Sequence, residues 1–127
     1  MDLLVTLHEV GGVALVALAL VVGVWGLARA RAIGTGANDR ESRVFAQLLQ
    51  LVHTVVIAEG LLGLALLAQG HRAADGLHER VYGPFMLAVI VASYAYRTKD
   101  GVVNVRVFSI GSLIICALAL RAVWTGA

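Results

Sequence analysis

The sequence predicts an all-α integral membrane protein, four transmembrane helices in an antiparallel bundle, on three observations. Four stretches, 10–28, 48–68, 81–96 and 107–124, reach or approach the ~20 apolar residues that cross a bilayer. Composition agrees: 60% of the 127 residues are hydrophobic and 14% charged, with a mean hydropathy of +0.88. The segments between the stretches, "RARAIGTGANDRESR", "QGHRAADGLHER" and "RTKDGVVNVR", are polar and too short for a further domain. A single domain, 1–127, is expected, with helices near 5–30, 43–69, 77–97 and 104–125.

The start "MDLLVT" has neither a basic n-region nor a small-residue cleavage site, so the first helix is expected to be retained. That helix carries Gly11, Gly12, Gly23 and Gly26 among alanines, residues that let helices approach closely in lipid. Its "AIGTGAN" sequel lacks the Lys-Ser/Thr of a phosphate-binding loop and reads as a flexible turn. The second helix holds His53 and Glu59 in an otherwise oily run, where each costs free energy. At 100° per residue Glu59 points about 120° away from His53, whereas Gly60 shares its face. The notch at Gly60 and Gly63 suits either a flat ring or a close helix neighbour. The third helix opens with Pro84 in or near its first turn, where no N–H is needed. Trp25, Tyr82, Tyr94, Tyr96 and Trp124 fall at helix ends as an aromatic belt. The fourth helix contains the lone cysteine, Cys116, which excludes an intrachain disulfide and reads as a packing residue.

Lys and Arg accumulate on cytoplasmic loops. Arg29, Arg31, Arg40, Arg43, Arg97, Lys99 and Arg106 lie in or beside the first and third connections, against Arg72 and Arg80 in or beside the second. Both termini are therefore expected outside a bacterial cytoplasmic membrane, with loops 1 and 3 in the cytoplasm. The net charge of +2 follows from this topology and gives nucleic-acid binding no support. The expected partners are the lipid bilayer and either other membrane subunits or further copies of the chain.

Two tripeptides recur in order: Leu-His-Glu at 7–9 and 77–79, and Arg-Val-Phe at 43–45 and 106–108. They suggest two repeated hairpins related by an axis along the membrane normal. Counted from the second marker, Glu59 and Arg121 lie at similar heights, so an intramembrane ion pair is expected. The alternative has Arg121 snorkelling to the interface and Glu59 neutral. His53 then either ligates a tetrapyrrole or hydrogen-bonds within the core. His8 and His78 become equivalent across the bundle, as the two axial ligands of a b-type haem would be. With His71, Asp75 and Glu79 near, a copper or zinc site from His8, His71, His78 and Glu79 is another reading, and interfacial cap residues a third.

Leu7-His8 and Leu77-His78, opening the first and third helices of a small bundle, resemble the membrane protoporphyrinogen oxidase and copper-resistance protein D-like families. The resemblance to the oxidase family implies haem binding, with the first-helix role falling to His8.

Haem binding with electron transfer is thus the leading expectation, with His8, His78 and His53 as candidate ligands. A non-catalytic accessory or assembly subunit of an energy-transducing complex is the alternative. A proton, ion or small-solute carrier using Glu59, Arg121 and His53 is the third. No hydrolase or transferase constellation and no nucleotide fingerprint occurs, so the chain by itself is not expected to be an enzyme.

Overall fold

The structure, a computed structural model, describes residues 3–71 and 78–126, and of residues 78, 79 and 126 the backbone alone. In chain order it contains α1 (Leu3–Ala28), α2 (Ala30–Thr35), α3 (Asp39–Ala68), a π-helical turn (His78–Tyr82) leading into α4 (Gly83–Ala95), and α5 (Gly101–Gly126). There is no strand among the described residues. Helices α1, α3 and α5 are long and apolar enough to cross a membrane. The apolar helical run Arg80–Ala95 is shorter.

Each boundary has a local cause. After α1, the chain turns at Arg29 and forms α2 where a flexible turn is expected from the sequence. That difference comes from capping. Gly36, at φ 71°, lets its N–H reach the Ile33 carbonyl and that of Ala37 reach Ala32, so the last carbonyls of α2 are satisfied. Helix α3 begins four residues earlier than expected because the Asn38 side chain accepts from the Glu41 N–H. Asp39 and Glu41 also lie in the first turn, against the positive end of the helix dipole. The far end of α3 closes in the same way as α2, with Gly70 at φ 85° and the His71 N–H on the Leu66 carbonyl at 2.9 Å. The Asp100 carboxylate accepts from the N–H groups of Val102 and Val103 and so starts α5.

Packing runs along one edge of α1. Gly12 lies against Val123, the Cys116 thiol donates to the Val16 carbonyl at 3.4 Å, Gly23 meets Leu113, and Gly26 meets Ser109. Numbers rise on α1 as they fall on α5, so these two helices are antiparallel. Gly11 against Glu59 and Gly26 against Phe45 make α1 and α3 antiparallel too. Gly111 of α5 faces Ser93 and Val89 of α4.

Small and polar side chains share the interior with large ones such as Leu15, Phe45 and Phe108, and many large aliphatic side chains lie on the outside. Ala19, Val22, Ser109, Ser112 and Ile115 are fully enclosed, whereas Leu20, Val21, Val24, Leu61, Leu64 and Val91 are exposed. Such an outer surface would be an aggregation liability in water, and it is an ordinary one against lipid.

The basic end is tied at one corner. Arg29 donates through Nε and Nη2 to the two carboxylate oxygens of Glu41 at 3.1 and 2.9 Å, and Trp25 Nε1 donates to the same carboxylate at 3.0 Å. The hydrogen bond to Glu41, and then its charge, raise the Arg29 guanidinium further above its ordinary range. Ser42 Oγ donates to the Ile33 carbonyl at 2.8 Å and holds α2 against α3.

A Cβ at position 26 would run into Ser109 Oγ and lie 2.7 Å from the Phe45 ring, whereas one at position 60 would meet nothing within 4 Å. Gly26→Leu should therefore destabilise the bundle by about 1–3 kcal/mol or more through overpacking. Gly60→Ala should be neutral or stabilising by up to about 1 kcal/mol through helix propensity. Denaturant unfolding in micelles reads both, and equal effects at the two positions would contradict this packing.

Candidate functional site

The apolar stretch of α3 begins at Leu48. His53 lies five residues further on and Glu59 eleven, about 8 and 17 Å along an untilted helix at a rise of ~1.5 Å per residue. Within a hydrocarbon core of ~30 Å His53 is then nearer the basic end and Glu59 near the middle. Both side chains are turned inward, each residue being only 8% exposed.

Glu59 finds its partner on α1. Its Oε2 lies 2.7 Å from His8 Nδ1. The two residues match in depth: His8 stands twenty residues before the end of α1, and Glu59 twenty residues after the start of α3. Gly11 makes the approach possible, since a Cβ there would collide with Glu59 Oε1, so the carboxylate lies directly on the α1 backbone. Across the seam, Gly63 leaves room for the imidazole, and a Cβ at that position would stand 3.6 Å from His8 Cε1. The result is a carboxylate and an imidazole enclosed between two apolar helices, at one depth, in contact.

The expected pairing of Glu59 with Arg121 is not formed. Arg121 is exposed, with its guanidinium 5.8 Å from the centre of the Trp124 ring. Equal height was a sound inference but fixes only one coordinate. Helix α5 turns Ile115, Ala119 and Ala122 inward, and Arg121 lies about 200° round from Ala119.

His53 occupies a separate environment. Its ring centre is 5.8 Å from that of Tyr94 on α4 and 6.1 Å from that of Phe108 on α5, and those two rings are 5.0 Å apart. Three rings from three helices thus lock together. Arg97 places its guanidinium 5.9 Å from the Tyr94 ring centre. His53 Nδ1 is enclosed and has no hydrogen-bond partner, and neither has the buried Ser112 Oγ of α5.

Of the remaining candidates, His71 is exposed and its backbone belongs to the α3 cap. The side chains of His78 and Glu79 lie outside the described residues, as does Asp75 entirely, so the facing-histidine and copper or zinc readings fall there. Among the described residues no three His, Cys, Asp or Glu side chains converge on a metal position. Cys116 is buried against α1, as a packing residue would be.

Gly11→Ala should break the His8–Glu59 contact by adding one methyl group between the carboxylate and the helix. Gly63→Ala, at ordinary van der Waals distance from the imidazole, should leave it intact. The ¹⁵N shifts of the His8 ring nitrogens report the contact, and an unchanged Nδ1 signal in Gly11→Ala would contradict the geometry. Comparison of the chain with protein-family models, with curated proteins and with solved structures finds no match in any of the three, so the function has to be read from this pair and its surroundings.

Proposed function

We propose that the chain is a proton-handling membrane protein, a proton-coupled carrier or conductor, in which the His8–Glu59 pair takes up and releases the proton. The pair's enclosure at 2.7 Å between two membrane-length helices carries this reading. Ionisable side chains at such depth are costly and as a rule serve ion or proton movement. A buried ion pair adds little stability over an apolar pair of similar size, so packing alone gives no reason to keep one. An imidazole beside a carboxylate can hold one proton as an ion pair or as a neutral pair.

In the membrane the π-helical turn and α4 form a fourth crossing segment beside α1, α3 and α5, short enough to rely on its polar flanks. Both termini lie outside a bacterial cytoplasmic membrane, and the basic connections lie in the cytoplasm, where Arg29, Arg31, Arg40, Arg43, Arg97, Lys99 and Arg106 gather. The His8–Glu59 pair then belongs to the outer leaflet, within reach of the outer medium. Its side chains retain 22% and 10% exposure.

A second reading makes His8 an axial ligand of a b-type haem, which when bound would supply one-electron chemistry. It is favoured by the same contact, because a ligating histidine is commonly oriented through its other ring nitrogen by a carboxylate. Here Glu59 would fix the tautomer through Nδ1, and Nε2 would be the ligating atom.

The purified chain in vesicles loaded with a pH-sensitive dye should dissipate a pH gradient faster than protein-free vesicles. Glu59→Gln should slow that flux by about a hundredfold, the usual scale for losing a proton-transfer group. Equal rates in the two proteins would reject the pair as a proton site. An absorption spectrum of the same samples, oxidised and then reduced, decides the haem reading: a Soret band lost in His8→Ala supports it and a colourless folded protein removes it.

A further inference from the structure

Replacing His53 by phenylalanine or leucine would suit its surroundings better than histidine does. It sits within the apolar length of α3, 8% exposed, with Tyr94 and Phe108 against its ring. Nothing in those surroundings satisfies Nδ1. An enclosed polar nitrogen without a partner ordinarily costs about 1–3 kcal/mol. The three-ring cluster restrains the imidazole, so turning the ring is a poor remedy. A second enclosed polar group without a partner, Ser112 Oγ, lies one helical turn along α5 from Phe108. Each such group in an apolar bundle calls for an explanation, a bound water or a functional role among them.

We propose that His53 is a second proton station, within the membrane and nearer the basic end, joining the His8–Glu59 pair to that side of the bundle. This rests on the proton-handling reading of that pair and extends it. A proton arriving from water binds the lone pair of the unprotonated ring nitrogen and gives an imidazolium. The proton on either nitrogen then leaves to the next acceptor, and one proton has moved with the neutral ring restored. Tyr94 from α4 and Phe108 from α5 present rings at about 6 Å, near enough for a cation–π contact with the imidazolium. Tyr94 lies in the last turn of α4, towards the basic connection that contains Arg97, whose guanidinium is 5.9 Å from the Tyr94 ring centre. In the other direction Glu59 is six residues along the same helix, about 9 Å in axial rise and about 120° round.

The test uses the full chain in dye-loaded vesicles under an imposed potential, with His53→Phe beside Glu59→Gln. His53→Phe keeps the three-ring packing and removes both nitrogens, and it should reduce proton flux to the level of Glu59→Gln. Wild-type flux in His53→Phe with a slow Glu59→Gln would overturn the station at His53 and leave the pair standing. Flux independent of both residues, or none in the wild type, would overturn both. The ¹⁵N spectrum of the His53 ring in the wild-type chain is the second measurement. Conversion between neutral and imidazolium signals across the pH range of the flux is expected. A ring fixed in one neutral tautomer throughout that range would overturn the proposal even if His53→Phe fails to fold.

Discussion

The close approach of α1 to its neighbours is the constraint on which the rest of the molecule depends. In lipid no hydrophobic drive brings helices together, so contact area and backbone proximity must do it. Gly12, Gly23 and Gly26 admit Val123, Leu113 and Ser109 of α5, and Gly11 admits Glu59 of α3. The same glycine edge therefore performs two tasks. It makes α1 the strut against which α3 and α5 pack, and it opens a recess of the size of one carboxylate in an otherwise apolar wall. Structure and site share one set of residues, so a side chain added at Gly11 alters the site first, while one added at Gly26 alters the bundle.

Small and polar residues enter the interior through that proximity. Where helices touch through glycine, alanine and serine they sit beside a few large core side chains such as Leu15 and Ile115, and many other large aliphatic side chains face out. Ser93 and Ser109 answer the apolar surroundings by donating to the carbonyls one turn back, Val89 and Val105. His53 Nδ1 and Ser112 Oγ make no such bond. At the basic end water is available and the solution differs. There Arg29, Trp25 and Glu41 satisfy one another and fix the corner between α1 and α3.

The all-helical architecture and three membrane-length helices were legible in the sequence, because apolar runs of that length are long-range signals that single residues cannot blur. Less legible were features set by local caps. The turn "AIGTGAN" contains a helix because Gly36 can adopt φ 71°, which the sequence permits without announcing. The site was half legible. Glu59 and His53 stood out as ionisable residues in oil, and their separation of 120° on α3 survives as two distinct environments. The partner of Glu59 was misread since depth alone was used. Gly11 was the available signal: it is the residue on α1 that lets a carboxylate approach, one turn from a histidine.

The identity of that partner matters chemically. Paired with arginine, Glu59 would be held ionised at every accessible pH, since guanidinium does not give up its proton in proteins. A permanent pair of that kind suits a structural tie and is useless for transfer. Paired with His8, the carboxylate faces an imidazole, a group that unlike guanidinium exists in a neutral as well as a charged form. The neutral form also lowers the cost of the low-dielectric surroundings, which weigh on charges far more than on dipoles. Arg121 meanwhile keeps its charge where charge is cheap, at the exposed end of α5 beside Trp124. The chain thus places the guanidinium of Arg121 at the exposed end of α5 and the His8–Glu59 contact between α1 and α3.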